Sequence, residues 1–329
     1  MAKKASVKRP LVSVIMGVYN QKSEAELNHA VDSILAQTLT DFEFIIYDDG
    51  SDPKFSEYID AQKKKDKRII LIGASVNHGL AFSLNQCIST ARGRFIARMD
   101  ADDYCYPERL EVQVRFLQTH LAYDWCGCSA DLFDSQGIWG RRYMPAVPTE
   151  KDYLRFSPFI HPTVVYRREV LTGERGYKVA PDTLRCEDYE IFMRLHRLGY
   201  IGCNLQTTLF AYREDRVSYG KRKFRFRINE SKLRYRNFKE MGLLTPVGWL
   251  YVARPIIGGL VPDPVISLLK RKESGIKYGR AKRTARLRKT HRRSTAAKAG
   301  RLSAGTGGTP AKRRRPGKGS GRSAAKNHG

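Results

Sequence analysis

Short strand-like segments alternate with helix-like segments over the first hundred residues, and this pattern constrains the fold more than any other feature. Four segments are short, apolar and rich in β-branched residues: 11–18, 42–47, 68–72 and 94–99. Between them, residues 24–37 and 80–91 carry apolar side chains at helical spacing. The alternation predicts an α/β domain, Rossmann-like, with a mostly parallel central sheet flanked by helices.

Acidic residues cluster where two of the predicted strands end. Asp48 and Asp49 follow the second strand, and Asp100 and Asp102 follow the fourth. Ligands of open α/β sheets bind beyond the carboxyl ends of the strands. Turn formation alone can explain the first cluster, since Asp, Gly and Ser favour turns. It explains the acids of 100–103 less well, because neighbouring carboxylates repel one another unless they share a cation.

A divalent metal is the predicted partner of the second cluster. The sequence contains neither G-x-x-x-x-G-K-[ST] nor a G-x-G-x-x-G after a strand, which are the usual phosphate-binding loops. A nucleotide diphosphate then needs a hard cation, Mn²⁺ or Mg²⁺, held by carboxylates and phosphate oxygens. One residue separates Asp100 from Asp102, so both carboxylates can reach one ion at a strand end.

The second half of the chain has a less regular pattern. Its predicted helices and strand lie at residues 107–119, 163–166, 188–198 and 221–241. Residues 247–269 form the most apolar stretch, but Arg254, Asp263 and three prolines disfavour a transmembrane helix. We expect instead a pair of short helices on the body of the protein or in the membrane interface.

Basic residues are concentrated at the C-terminal end. The formal net charge is +27, and residues 270–329 carry 21 Lys and Arg against one acid, Glu273. The preceding residues 1–269 carry 39 bases and 32 acids, as an ordinary globular protein does. The composition predicts a disordered tail at 279–329 that attracts an anionic membrane surface or nucleic acid. The acidic strand ends argue against nucleic acid as the main ligand of the body.

The cysteines and the N-terminal segment indicate the cellular compartment of the protein. Six cysteines occur without a C-x-x-C pair, which favours reduced thiols in a cytosolic protein over a zinc site. Residues 11–18 form a short apolar stretch, which we interpret as a buried strand rather than as a signal sequence. We therefore expect a cytoplasmic protein, with peripheral attachment at the inner face of the plasma membrane.

Five motifs occur in a fixed order along the chain: SVIMGVYN, IIYDDGS, NHGLAFSLN, RGRFIARMDADD and CEDYEIFMRL. In this order and at this spacing the chain resembles the family 2 glycosyltransferases of the GT-A fold, over residues 11–218. The resemblance implies an inverting enzyme that moves a sugar from a nucleotide-diphosphate sugar, with UDP expected, to a hydroxyl of a glycan or lipid-linked acceptor. It divides the chain into an N-terminal extension (1–10), a GT-A domain (11–220), a helical segment (221–278) and the tail (279–329).

The resemblance assigns the base-binding part of the nucleotide pocket to the first two strand ends. Val18 and Tyr19 match the strand end that lies against the nucleotide base, although a core aromatic is an alternative role for Tyr19. Asp49 matches the acid that hydrogen-bonds the base, and Asp48 lies beside it.

Further matches concern the loop that closes over the nucleotide, the metal site and the catalytic base. Asn77 and Gly79 match the loop that closes over the base. Asp100 and Asp102 match the D-x-D motif that touches the ribose and binds the metal. Asp188 matches the general base of inverting members, and its place at the start of a helix also suits a helix N-cap.

One motif departs from the family pattern. Family members often have Y-R-x-H-x-x-S late in the domain, with a His that contacts the metal or the diphosphate, whereas this sequence has Asp215 at that position. Asp is a competent ligand of Mg²⁺ or Mn²⁺, so Asp215 is a candidate metal ligand. Arg213 is a candidate contact to the diphosphate. His161 lies in a segment that resembles the acceptor side of the family.

Two other functions are compatible with parts of the sequence. The basic tail and the basic helix at 221–241, with its interleaved aromatics, suggest a nucleic-acid-binding protein. The acidic metal site also suits a metal-dependent nucleotidyltransferase, which would release pyrophosphate. The ordered motifs favour sugar transfer, which releases a nucleoside diphosphate.

Overall fold

Four parallel strands form the first half of the central sheet. The computed structural model describes residues 9–21, 23–215 and 223–260. The four strands are β1 (Val12–Val18), β2 (Phe42–Asp49), β3 (Ile69–Ala74) and β4 (Phe95–Arg98). They lie in the order β3-β2-β1-β4, and each neighbouring pair is parallel. The four predicted strands and their parallel arrangement are confirmed.

Helices connect these strands, because parallel neighbours need crossover connections. They are α1 (Glu24–Leu35), α2 (Pro53–Lys63) and α3 (Leu80–Thr90). α1 begins after Ser23, whose side-chain oxygen accepts a hydrogen bond from the Glu26 N–H at 3.2 Å. The sequence pattern does not predict α2, because Ile59 and Gln62 are its buried residues and no apolar stripe marks the helix.

The second half of the sheet mixes parallel and antiparallel pairs. Its strands are β5 (Tyr104–Cys105), β6 (Trp125–Asp134), β7 (Gly137–Arg142), β8 (Val165–Arg167) and β9 (Gly202–Arg213). The order continues from β4 as β8-β6-β9-β5, with β7 paired to β6. β6 and β9 are parallel, and the other pairs of this half are antiparallel. Of these five strands the sequence predicts only β8.

The sheet has an apolar core on each face. The helices of the second half are α4 (Arg109–Thr119), α5 (Asp152–Arg155), α6 (Arg168–Leu171), α7 (Glu187–Arg197), α8 (Phe224–Glu240) and α9 (Pro246–Leu260). Side chains alternate between the faces of a strand, so Val14 and Met16 belong to one core and Ile15 to the other. α1 and α4 pack in the first core, whereas α3 and α7 pack in the second. Burial on both faces explains why β1 is continuously apolar.

The two C-terminal helices α8 and α9 pack in the second core. Leu233 and Phe238 of α8 and Val252 of α9 are buried there. Pro255 lies inside α9 without ending it, so residues Pro246–Leu260 form one helix. The rest of the stretch for which a pair of short helices is predicted, 261–269, lies outside the described residues, so the pair stays a prediction. Within the described residues no helix is both long and apolar enough to cross a membrane.

Some predicted features lie outside the described residues. They include most of the N-terminal extension, the end of the apolar stretch at 261–269 and the tail at 279–329. The described residues all belong to one compact unit. The predicted domain boundaries stay predictions.

Candidate active site

The predicted base-binding residues lie at the carboxyl ends of the neighbouring strands β1 and β2. Val18 ends β1 and is buried, whereas Tyr19 directly after it is 52% exposed. Tyr19 is therefore not a core aromatic, and its ring is accessible to a ligand. The Asn20 N–H donates to Ser51 Oγ at 2.9 Å, which ties the turn after β1 to the turn after β2.

Asp49 fastens the loop between β3 and α3 to the end of β2. Its Oδ1 accepts from the His78 N–H at 3.0 Å, and its Oδ2 accepts from the Gly79 N–H at 2.7 Å and from Asn77 Nδ2 at 2.9 Å. Gly79 has a φ of +93°, which L side chains rarely adopt. The structure thus brings together Asp49, Asn77 and Gly79, which the sequence assigns to one pocket.

Asp48 shapes the turn after β2. Its Oδ1 accepts from the Ser51 N–H at 3.0 Å, and its Oδ2 accepts from Ser56 Oγ at 2.6 Å. Both oxygens therefore serve the turn and the first residues of α2, which is the turn-forming role that the sequence allows. A direct contact of Asp48 with the nucleotide stays a prediction.

Three carboxylates lie together after β4. Oxygens of Asp100, Asp102 and Asp103 are within 4.8 Å of one another. Asp102 is an exposed residue, but the surrounding protein partly desolvates its carboxyl. This desolvation and then the charge of Asp100 raise the pKa of Asp102 to about 6. Asp103 is buried, and this burial, followed by the charges of Asp100 and Asp102, raises its pKa well above the usual range.

The carboxylate cluster fits a divalent cation. Asp103 Oδ2 is buried without a hydrogen-bond partner among the described residues. A hard cation would satisfy such an oxygen and relieve the repulsion among the three acids, and Mg²⁺ and Mn²⁺ both accept carboxylate ligands. The sequence identifies Asp100 and Asp102 in this group but not the contribution of Asp103.

A buried arginine lies behind the carboxylates. Arg98, the last residue of β4, is 1% exposed and forms an ion pair with Asp100. Its backbone carbonyl accepts from Arg109 Nη2 at 2.8 Å, and the same nitrogen donates to the Pro162 carbonyl at 3.0 Å. The sequence motifs do not single out Arg98. A charged residue inside an apolar strand is nevertheless a usable signal, because buried charges need partners.

Arg213, the last residue of β9, contacts the carboxylate cluster through its backbone. Its N–H donates to Asp103 Oδ1 at 2.7 Å. Its Nη2 lies 2.8 Å from Glu26 Oε1 of α1, and its Nε lies 3.9 Å from Asp215 Oδ1. Asp215 is exposed and is not part of the three-carboxylate group found in the described residues. The contacts of Arg213 with the diphosphate and of Asp215 with a metal stay predictions.

A cavity of about 1190 Å³ adjoins the carboxylate cluster. Asp100 and Asp188 both line this cavity. Asp188 is the second residue of α7, whose N-cap is Cys186, so Asp188 is not the cap residue that the sequence allows. It lies in the first helical turn, where the helix dipole favours a negative charge. The predicted base and the predicted donor-side acid therefore face the same space.

A histidine and a strained arginine complete the cavity wall near Asp188. His161 Nε2 lies 2.6 Å from the Tyr177 hydroxyl. Burial and then the charge of Arg98 hold the pKa of His161 well below its usual range, so the imidazole is neutral. Arg185 has a φ of +66°, which costs a residue other than glycine about 1–3 kcal/mol and is often found at functional sites.

Solved structures share this fold. S. aureus TarS 1–349 in complex with UDP has a TM-score of 0.55 at 18% identity, covering 76% of this chain and 70% of that chain. The mannosyltransferase PcManGT from Pyrobaculum calidifontis, in complex with GDP-Man and Mn²⁺, has a TM-score of 0.54 at 16% identity, covering 82% and 81%. The likenesses place the protein in the GT-A class of fold.

Sequence comparison gives the family. The profile described as Glycosyl transferase family 2 matches residues 13–172. The chain is 36% identical over 265 residues to the putative glycosyltransferase EpsE of Bacillus subtilis (strain 168), covering 80% of this chain and 94% of the relative. It is 26% identical over 270 residues to the amylovoran biosynthesis glycosyltransferase AmsE of Erwinia amylovora, covering 80% and 99%. The chain therefore belongs to glycosyl transferase family 2.

Proposed function

We propose that this protein is an inverting, metal-dependent glycosyltransferase that moves a sugar from a UDP-sugar to an acceptor hydroxyl. The observation that carries the proposal is the cavity shared by Asp100 and Asp188. It has a carboxylate cluster on the donor side and a separate carboxylate in its wall. A direct displacement needs one base and no covalent nucleophile, and it inverts the anomeric carbon.

The strand ends would hold the donor nucleotide. Tyr19 presents an exposed ring for the base, and Asp49 has a fixed orientation because Asn77 and Gly79 hydrogen-bond to its carboxylate. A carboxylate oxygen has more than one lone pair, so Asp49 can accept a further hydrogen bond from a nucleobase N–H. The TarS structure contains UDP and the PcManGT structure contains GDP-Man, so a GDP-sugar is the first rival donor.

The carboxylate cluster would hold the diphosphate through a cation. Asp100 and Asp102 are the proposed ligands of Mn²⁺ or Mg²⁺, and Asp103 is fixed beside them by the Arg213 N–H. When bound, the cation supplies positive charge to the leaving diphosphate. Asp100 would also contact the ribose. The PcManGT structure contains Mn²⁺, which supports the same class of ion here.

Asp188 is the proposed base. As the acceptor oxygen attacks the anomeric carbon, its proton passes to the Asp188 carboxylate. The bond between the anomeric carbon and the diphosphate oxygen breaks, and its electron pair leaves with the nucleoside diphosphate. The N-terminal turn of α7 favours the ionised carboxylate that this step requires.

The acceptor would be a hydroxyl of a glycan or lipid-linked glycan in cell-surface polysaccharide synthesis. The relative AmsE is an amylovoran biosynthesis enzyme, which supports this class of pathway. We place the enzyme in the cytoplasm, since its six cysteines are free and buried. The basic tail at 279–329 would attach it to anionic lipid.

Release of free UDP from UDP-sugars tests the base. Asp188→Asn should slow release about 100-fold or more, the usual contribution of a general base, and should leave the Kd of the donor nearly unchanged. Asp152→Asn is the control, because Asp152 also lies in the first turn of a helix but does not line the cavity. Near-normal turnover by Asp188→Asn would assign the base elsewhere.

Metal dependence needs a separate experiment. Asp102→Ala and an excess of EDTA should each abolish UDP release while far-UV circular dichroism stays unchanged. Full turnover in excess EDTA would contradict the metal dependence. Release of pyrophosphate from UTP in the presence of a sugar 1-phosphate would instead indicate a nucleotidyltransferase.

A further inference from the structure

The outer face of α9 is apolar, although it faces solvent. Its inner stripe, spaced four and then three residues apart, is buried and consists of Gly248, Val252 and Pro255. The apolar residues exposed on the rest of the helix are Val247 (53%), Trp249 (51%), Leu250 (67%), Ile257 (54%) and Leu260 (72%). A surface helix of a globular protein normally carries polar residues there. Five exposed large apolar side chains on one helix indicate a docking surface.

The helix holds this face outward through several hydrogen bonds. Ser231 Oγ of α8 donates to the Val252 carbonyl at 2.7 Å. Arg254 Nη1 donates to the Arg155 carbonyl at 2.8 Å, which attaches the middle of α9 to the end of α5. The exposed residues therefore cannot turn inward without breaking the packing of the buried stripe.

The part of the chain that contains this face is basic in sequence. Residues 223–260 contain eight Lys and Arg and only two acids, Glu230 and Glu240. Both acids are already paired with arginines, Glu230 with Arg234 and Glu240 with Arg197. The next residues, 261–329, add 21 Lys and Arg against two acids. An apolar strip among cations complements an anionic lipid bilayer, which attracts the charges and accepts the apolar side chains.

An aromatic pair supports the same occupant. The Trp249 ring lies 5.5 Å from the Tyr235 ring, and both residues are exposed. Trp and Tyr favour the interface between lipid and water, because their rings are apolar at one end and polar at the other. A second copy of this chain fits less well, since it would bring two basic surfaces together.

We propose that the outer face of α9 docks on an anionic membrane surface. Docking would place the cavity beside the lipid headgroups, because α9 adjoins the cavity rim at two points. Gly259 packs against Phe224 and Arg227 at the start of α8, where Lys223 and Phe226 line the cavity. Arg254 holds the segment that continues into Phe156, which also lines it. The docking itself does not depend on the proposed chemistry, but its benefit for a lipid-linked acceptor rests on that function.

Vesicle co-sedimentation of the full chain tests the docking face. The variant is Leu250→Glu/Ile257→Glu, and the control is Leu121→Glu/Ile138→Glu, whose residues are exposed to a similar degree (74% and 56%) away from α9. The vesicles combine phosphatidylcholine and phosphatidylglycerol at about 2:1, and the salt is about 0.15 M or about 1 M, which separates electrostatic attraction from apolar contact. Unfolding temperatures of both variants confirm that they are folded.

The α9 variant should bind anionic vesicles about tenfold or more weakly than the control, because two large apolar side chains no longer enter the bilayer. The difference should persist at about 1 M salt, where the attraction of the basic tail is screened. Equal binding by variant and control at both salts would overturn the proposal. So would conversion of a wild-type dimer into a monomer by the α9 variant in light scattering, which would assign the face to a second copy. This assay does not measure UDP release. If the protein released no UDP from UDP-sugars, that result would contradict the proposed function but not the docking.

Discussion

Arg98 gives the carboxylate cluster a permanent positive neighbour inside the protein. Its side chain is fully buried and ion-paired with Asp100 at the place where three acids meet. Charges of like sign about 4 Å apart repel by roughly 1–4 kcal/mol, depending on their exposure to water. The arginine therefore offsets part of the repulsion in the protein without a cation, and a bound cation would add to the same effect.

Replacement of Arg98 by Met should expose this role. We expect Arg98→Met to lose unfolding free energy, by at most about 3–5 kcal/mol, because the partly exposed Asp100 and the buried Asp103 lose their positive neighbour. Addition of Mn²⁺ should raise its unfolding temperature more than that of the wild type, since the ion replaces the missing charge. Thermal unfolding with Mn²⁺ and with EDTA measures both effects.

Arg109→Met is the matched control for this prediction. Arg109 is also fully buried, but its guanidinium donates to the carbonyls of Arg98 and Pro162 rather than to a carboxylate. This variant should be destabilised without any additional response to Mn²⁺. An equal response to Mn²⁺ in both variants would show that Arg98 is only a packing residue.

The sequence motifs do not predict the contacts through which the candidate site residues meet. Asp49, Asn77 and Gly79 are assigned to one pocket from motifs, and they meet through hydrogen bonds. Asp103 is counted among the acids of 100–103, but its contact is not predicted, because its partner is the backbone of Arg213, 110 residues away. A contact to a backbone N–H does not depend on the identity of the residue that donates it, so no sequence motif records it.

At the scale of elements, β6 and β9 are the longest of the four strands that the sequence pattern does not predict. β6 contains Cys, Gly, Ser and Ala in place of the β-branched residues that mark β1 and β2. Its backbone pairs with β9 in parallel, with Trp125 opposite Gly202. The large indole occupies the space that a side chain at 202 would need. The pairing is thus specified by complementary size, which a single segment does not reveal.

Gly202→Ala should therefore destabilise the sheet. The added methyl group would overlap the Trp125 ring, and overpacking of a core costs about 1–3 kcal/mol or more. Chemical denaturation measures the loss of unfolding free energy. Gly140→Ala on β7 is the control, because its nearest neighbour, a Leu132 methyl carbon, would lie at 3.6 Å, which is an ordinary contact. Equal stability of the two variants would mean that the β6–β9 pair can shift to accept the methyl group.

At the scale of the whole molecule, the two halves of the sheet differ in how clearly the local sequence marks their strands. β1 to β4 pair with neighbours that come early in the chain, and each follows a recognisable strand and helix pattern. Long separations occur in both halves, since Val12 of β1 lies opposite Phe95 of β4 and Trp125 of β6 lies opposite Gly202 of β9. Sequence periodicity is local, so it predicts the strands of the first half and leaves most of the second half undetermined.

Labelling of the six cysteines can report how often the folded protein opens. All are buried, and burial raises the pKa of Cys87 and of Cys203 to about 12. Maleimides react with the thiolate, so a cysteine should be alkylated only while the protein is open. For a protein of ordinary stability, the open fraction is about 10⁻⁴ of the molecules or less. A donor that binds the folded state should slow the labelling further. Mass spectrometry of pulse-labelled protein measures this rate, and immediate modification of any of the six would show that its element opens independently of the rest.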